Sequence, residues 1–151
     1  KHCDVFYIGG TKVGAMIGEA VVFTGMKAPK YFFTIVKRHG ALLAKGRMLG
    51  IQFDTLFTDN LYFKVSQHAI NMAVRICDIF KKHGIAIAYD SPTNQQFIVL
   101  PKRLYEALSQ KVAFEIWERK SDEEIVCRFV TSWATKEEEL DELDRILTTL
   151  C

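Results

Sequence analysis

A lysine in a short glycine-rich loop is the residue of this chain best suited to nucleophilic chemistry. Lys12 lies between two apolar runs, Val5–Ile8 and Glu19–Phe23, both rich in β-branched and aromatic residues and bounded by glycine. This pattern predicts a strand, a loop and a second strand. An amine held between two buried strands occupies a dry, amide-lined setting, which lowers the pKa of an ammonium group and frees the amine to act as a nucleophile. The alternative from the residues alone is a solvated lysine in a turn.

Two further cations stand in the otherwise apolar stretch Ala41–Phe57, which is rich in helix-forming residues. Lys45 or Arg47, fixed there, could pair with a phosphate, and an arginine would do so through two parallel hydrogen bonds. The alternative is that both side chains extend to solvent from the edge of a helix.

A third candidate is Arg128, in a predicted strand with valines two residues before and after it. An arginine among apolar neighbours on a strand is costly without an anionic partner. It could therefore grip a carboxylate with its planar fork of donors. The alternatives are an arginine that faces solvent from an edge strand, or a structural salt bridge.

The elements that must position these residues follow from hydrophobic periodicity and turn residues. Lys30–His39 is predicted to be a helix, and a long amphipathic helix is predicted from Asp59 or Asn60 to His83. The rest predicts a small α/β unit with strands at Ile85–Tyr89, Gln96–Leu100, Ala113–Glu118 and Ile125–Ser132, a helix from Pro101 to about Lys111, and a last helix after a capping box at Thr135–Glu138.

Length and composition are those of an ordinary globular chain. The 151 residues are 49% hydrophobic and 25% charged, with a net charge of +2. The sequence has no dense basic stripe of the kind that binds nucleic acid and no apolar run long enough to span a membrane. Its histidines and cysteines are not spaced as metal ligands are. The cysteines within apolar patterns, Cys77 and Cys127, are predicted to be buried free thiols of a cytoplasmic protein.

Five short motifs are distributed over the whole chain. They are the loop Gly9-Gly-Thr-Lys-Val-Gly14 with its flanking runs, Ala41-Leu-Leu-Ala-Lys-Gly-Arg47, Asp90-Ser-Pro-Thr-Asn-Gln95, Ala113-Phe-Glu-Ile-Trp117, and Arg128-Phe-Val-Thr-Ser-Trp-Ala-Thr135. Taken together, they resemble the low-specificity threonine aldolases, which are pyridoxal-phosphate enzymes of the aspartate-aminotransferase fold.

The resemblance implies a role for each candidate residue. Lys12 is expected to form the internal Schiff base with pyridoxal 5'-phosphate, with Thr11 and Gly10 beside the cofactor. Either Lys45 or Arg47 is expected to reach the cofactor phosphate of a neighbouring subunit. Arg128 is expected to bind the substrate carboxylate. The second arginine that relatives often carry about five positions before this one is replaced by Glu123.

The resemblance also implies a fold and an assembly. The expected fold is α/β: the C-terminal part of a fold-type-I enzyme, with residues 1–58 ending the large cofactor-binding domain and residues 59–151 forming a small domain. The chain is expected to be part of a longer protein whose missing N-terminal half carries the catalytic base. It is expected to form homotetramers with shared sites.

The implied reaction is cleavage of L-threonine or L-allo-threonine to glycine and acetaldehyde. The nearest alternative is a β-eliminating lyase of the same fold. The alternative from another class is a non-catalytic fragment or binding module in which Lys12 never meets a cofactor.

Overall fold

The computed structural model describes residues 2–25 and 27–151, and the chain divides into two compact units, Lys1–Lys64 and Val65–Cys151. The division falls in the first turn of the longest helix. The boundary predicted from the sequence lies a few residues earlier, between residues 58 and 59, and the assignment of the two parts to a large and a small domain stays a prediction.

The first unit combines a two-stranded sheet with short helices. Its elements are β1 (Val5–Gly9), β2 (Glu19–Phe23), α1 (Phe32–Arg38), α2 (Arg47–Phe57) and the start of α3 (Leu61–Lys82). Helix α1 confirms the helix expected at residues 30–39. In the stretch 41–57 only the second part is helical: residues 41–43 have no regular structure, and residues 44–46 form a turn before α2.

The strands β1 and β2 correct one expectation. The sequence predicts two buried strands, whereas β1 and β2 pair with each other in an antiparallel hairpin whose residues are exposed or half-buried within the described chain. The antiparallel pairing follows from the length of the connection, which spans only residues 10–18. A parallel crossover needs a dozen residues or more, so a connection this short returns the chain beside the strand it left.

The second unit is a four-stranded antiparallel sheet in the order β3-β4-β6-β5, with helices on one face. Its elements after α3 are β3 (Ile87–Tyr89), β4 (Gln95–Pro101), α4 (Lys102–Leu108), β5 (Glu115–Arg119), β6 (Glu124–Val130) and α5 (Glu137–Leu150). All predicted elements of this unit are present. Helix α4 ends three residues before its predicted end at Lys111, and β6 ends two residues before its predicted end at Ser132. Strands β4 and β6 are the inner pair.

The core of this unit lies between one sheet face and the helices. Alternate residues of β6, namely Ile125, Cys127 and Phe129, point into it, because successive side chains of a strand face opposite ways. Phe129 lies 4.9 Å from Phe80 of α3 and 4.8 Å from Phe114 between ring centroids. Arg128 alternates with these residues and therefore lies on the opposite face of β6.

The start of α5 corrects a second expectation. A capping box does begin this helix, but its carboxylate is Glu139, which accepts the backbone N–H of Lys136 at 2.9 Å. The hydroxyl of Thr135, predicted as the cap, instead accepts the N–H of Ser132 at 3.0 Å. The loop before the helix thus uses the threonine, and the helix begins one residue later.

The cysteines divide as predicted. Cys77 and Cys127 are buried and free, and burial raises the pKa of both thiols, that of Cys127 to about 11. Over residues 2–25 and 27–151, no helix is long and apolar enough to cross a membrane. The same residues contain no cluster of three or more His, Cys, Asp or Glu side chains arranged to hold a metal ion.

Candidate active-site residues

The lysine loop has a fixed backbone and a free amine. Thr11–Val13 form one turn of 3-10 helix, in which the Gly10 carbonyl accepts the N–H of Val13 at 3.1 Å and that of Ala15 at 2.9 Å. Val13 and Ala15 are buried and anchor the turn. Lys12, in its middle, is exposed, and none of residues 2–25 and 27–151 forms an ion pair or hydrogen bond with its ammonium. The expectation that the Lys12 amine lies in a dry setting between buried strands is therefore wrong for the described chain.

Two glycines of the loop are required by close approach. A Cβ added to Gly10 would lie 2.6 Å from the Ala15 Cβ and 3.1 Å from the Phe53 Cζ of α2. A Cβ on Gly18 would meet the Leu49 side chain at 2.5 Å, and its φ of +85° is one that other residues rarely adopt. The loop can therefore pack directly on α2.

Helix α2 also holds the loop through Gln52. The Gln52 Oε1 accepts the backbone N–H of Met16 at 2.6 Å, and its Nε2 donates to the Ile17 carbonyl at 3.4 Å. A second tie comes from the Tyr62 hydroxyl, which donates to the Gly9 carbonyl at 3.1 Å. Nothing in the spacing of the sequence identifies Gln52 or Tyr62 as anchors, because their partners are backbone groups far away in the chain.

The two candidate phosphate ligands lie at the start of α2. Arg47 is the first residue of the helix, and Lys45 is in the turn before it. Both side chains are exposed, and neither has an anionic partner among the residues that the structure describes. Positive charges at a helix N-terminus repel its dipole, so this placement contributes no helix stability of its own.

Arg128 is held by side chains from both neighbouring strands. Its Nη2 donates to the carboxylate of Glu115, its directly opposed residue on β5, and its Nη1 donates to Gln95 Oε1 of β4 at 3.0 Å. The Trp117 ring centroid lies 5.6 Å from Cζ. Since β6 is an inner strand, the solvent-facing edge arginine is excluded, and the salt bridge considered from the sequence is present.

Aromatic residues continue on this open sheet face. Phe97 packs edge-on against Trp117 at 5.1 Å and against Tyr89 at 5.6 Å between centroids. The Tyr89 hydroxyl donates to Glu118 at 2.6 Å, and this bond raises the pKa of the tyrosine. The face thus combines an ordered guanidinium with a row of rings.

Comparison with known proteins identifies relatives for nearly the whole chain. Two low-specificity L-threonine aldolases, from Pseudomonas sp. and Pseudomonas aeruginosa, are each 28% identical to it over 142 and 144 residues. The solved structure of a Leishmania major threonine aldolase is 36% identical, covers 97% of this chain and superposes with a TM-score of 0.91. The chain is homologous to the threonine aldolases. No protein-family model matches it.

The threonine aldolase homology confirms the predicted resemblance and the mixed α/β fold. The chain spans 40% of each Pseudomonas aldolase and 43% of the Leishmania protein. Its motifs thus correspond to part of a threonine aldolase. The roles assigned to Lys12, Thr11, Gly10, Lys45, Arg47 and Arg128 stay predictions.

The sequence alone does not predict which residues surround Lys12 and Arg128 in this chain. Gln52 and Phe53 position the lysine loop, while Gln95, Glu115 and Trp117 surround Arg128. Glu115 and Trp117 lie within the motif Ala113–Trp117, and their alternation against Phe114 predicts that they share a face. Their contact with Arg128 depends on strand order, which the motif does not contain.

Proposed function

We propose that this chain is part of a pyridoxal-phosphate-dependent aldolase that cleaves L-threonine or L-allo-threonine to glycine and acetaldehyde. The observation that carries the proposal is the homology to threonine aldolases over nearly the full chain, with a lysine on a preformed loop inside the aligned region. Because the chain spans less than half of these relatives, the activity is proposed for a longer protein that contains it.

The residues present fit a group with an aldehyde and a phosphate. Among the residues that the structure describes, the Lys12 amine has no partner, so no existing contact must break before it bonds to an aldehyde carbon. Gly10 leaves the loop without a side chain where it approaches Phe53 of α2. Lys45 and Arg47 have no partner in the described part of the chain, and either cation can neutralise a phosphate. Lys12 would hold the cofactor through its aldehyde, with Thr11 and Gly10 alongside.

In the proposed reaction, the β-hydroxyl of the substrate loses its proton and the Cα–Cβ bond breaks. Cβ becomes the aldehyde carbon of acetaldehyde, and Cα takes up a proton to give glycine. The cofactor, when bound, supplies an acceptor for the electron pair left on Cα.

Arg128 would bind the substrate carboxylate. Its guanidinium is oriented by Gln95 and Trp117, and a planar fork of N–H donors fixes a carboxylate in both position and plane. Fixing that group sets the orientation of the bonds at Cα, and hence which of them breaks. We propose that the residue that accepts the hydroxyl proton lies outside this chain. We also propose that the protein is a homotetramer in which neighbouring subunits share each site.

The test is made on the natural-length protein, reconstituted with pyridoxal phosphate. We expect release of acetaldehyde and glycine from L-threonine, and an absorbance band at the edge of the visible range that disappears in Lys12→Ala. Lys37→Ala, which removes an exposed lysine of α1, is the matched control and should leave both unchanged. We expect Lys12→Ala to lower kcat at least about a thousandfold, the order lost with an essential nucleophile.

The possible outcomes separate the alternatives. Ammonia and pyruvate as products would contradict the aldolase and identify a β-eliminating lyase. A protein with no band that depends on Lys12 would be a non-catalytic binding module.

A further inference from the structure

The side chain of Arg128 has an incomplete set of partners. Among the described residues, its Nη1 is bonded to Gln95 and its Nη2 to Glu115, but its Nε is buried and has no hydrogen-bond partner. Leaving a buried N–H of a charged group unsatisfied is unfavourable, and such groups are rare in folded proteins. Nε therefore still has an N–H to donate to an acceptor at this side of the guanidinium.

The acceptor that suits this N–H has a defined chemistry. In a guanidinium, the Nε–H and one Nη2–H point in the same direction, and together they match the two oxygens of a carboxylate. Glu115 engages this edge only through Nη2. A free carboxylate that bonded to both nitrogens would satisfy Nε, but it would meet the Glu115 carboxylate at Nη2.

Glu115 can leave that position without disturbing the fold. Its side chain is 68% exposed, whereas that of Arg128 is 27% exposed. It lies on the edge strand β5, where a register shift follows between Ile116 and Glu118. Gln95 and Trp117 would still hold the guanidinium, because their contacts do not involve Glu115.

We propose that Glu115 is an intramolecular competitor of the substrate carboxylate at Arg128. This rests on the proposed function, in which Arg128 binds that carboxylate. In the empty site Glu115 occupies Nη2; an amino-acid carboxylate displaces it and takes both Nη2 and Nε. This competition lowers the affinity for ligands that bond only to Nη2. It favours carboxylates that bond to both Nη2 and Nε.

The experiment measures acetate binding to the cofactor-free natural-length protein, from line broadening of 13C-labelled acetate in NMR. Acetate is the smallest carboxylate that can bond to the Nε and Nη2 edge. We expect Glu115→Gln to tighten acetate binding about fivefold, the size of one partly exposed ion pair. Arg128→Lys should abolish it. In the loaded enzyme, Glu115→Gln should lower KM for L-threonine by a similar factor and leave kcat unchanged.

Glu118→Gln is the matched control, because it removes the same charge from the same strand and leaves Arg128 with its partners. Tightening in Glu115→Gln alone supports the proposal, since a structural defect would weaken binding. If Glu118→Gln tightened acetate binding equally, the effect would come from the loss of any negative charge on this strand, and the proposal would be wrong. If Arg128→Lys loses acetate but Glu115→Gln binds no more tightly, the competitor role is wrong while the carboxylate site survives. If Arg128→Lys still binds acetate, the carboxylate site itself is wrong.

Discussion

At the scale of single residues, two of the candidate cations are held in opposite ways. Lys12 has an ordered backbone and an ammonium without a partner among the described residues. Arg128 has an ordered guanidinium, because side chains from both neighbouring strands and one ring fix it. A group that forms a covalent bond needs freedom to reach it, whereas a group that orients a substrate must already be in position.

The glycine beneath the lysine can be tested directly. Gly10→Ala places a Cβ against Ala15 and Phe53 at distances that force the loop to shift. We expect the substitution to lower the free energy of unfolding by about 1–3 kcal/mol, the usual cost of overpacking. The measurement is urea unfolding of the natural-length protein, with Gly9→Ala as control, since a Cβ there meets nothing within 4 Å. Equal stability of the two variants would show that the loop does not pack on α2 as described.

At the scale of elements, α3 and α5 are joined by a line of ion pairs on the surface of the second unit. Arg75 pairs with Glu137 at 3.4 Å and also with Asp141. Further along, the Asp144 carboxylate pairs with the Lys82 Nζ at 2.6 Å and with the His83 Nε2 at 2.7 Å. Since exposed pairs contribute little each, the two helices are held mainly by the core beneath them.

The pH dependence of this contact follows from Asp144. Hydrogen bonds from Lys82, and then from His83, lower the pKa of its carboxyl below the ordinary 3.8. A depressed pKa in the folded state contributes stability above the unfolded value and loses it as the pH falls through the folded value. We expect Asp144→Asn to lower the urea midpoint at pH 7. The difference from the unmodified protein should shrink below pH 3.8 and vanish under the lowered pKa.

Asp78→Asn is the control, since it removes an exposed carboxylate of α3 that lacks an ion-pair partner in the described part of the chain. A midpoint difference for Asp144→Asn that stays constant down to pH 2 would contradict the role of its charge.

The same elements show what periodicity can predict. The apolar stripe of α3 predicts the buried Met72, Ile76 and Phe80, because a regular repeat alone decides which side of a helix faces a core. The same stripe begins at Leu61, which is 37% exposed, because burial needs a partner surface that the repeat does not describe. The burial expected for β1 and β2 fails for the same reason, since an apolar run does not contain the surface that would cover it.

The candidate residues divide in the same manner. Residue types and local motifs point to Lys12 and Arg128 as candidates, and the homology to threonine aldolases agrees with the family that the motifs indicate. The partners Gln52, Gln95 and Glu115 are invisible to such reasoning, since each reaches its contact through pairing or packing between distant segments.

At the scale of the whole molecule, apolar side chains are exposed in both units. They include Tyr7 at 68% in the hairpin, and Trp117 at 53% on the open face of the second sheet. Apolar surface of this kind marks an interaction site or an association hazard. Together with the 43% coverage of the Leishmania aldolase, it agrees with the proposal that these residues act within a larger protein.

We therefore expect the isolated 151-residue chain to release no acetaldehyde from L-threonine, even with pyridoxal phosphate added. It should also bind a hydrophobic dye such as ANS more strongly than the natural-length protein does. A headspace aldehyde assay on equal molar amounts of both proteins makes the comparison. Release by the short chain at the rate of the long one would show that every catalytic group lies within residues 1–151.

The hairpin has one further consequence for the energetics of Lys12. Because Gly9 and Glu19 are paired neighbours across β1 and β2, the two ends of the connection are already held together, and its closure carries no additional loss of chain entropy when a ligand arrives. What remains to be immobilised is a single flexible side chain, at a cost of about 2 kcal/mol. Because a C=N bond then replaces the C=O bond of the aldehyde and water is released, the ordering required of the protein is confined to this side chain, and capture of an aldehyde requires no rearrangement of the backbone.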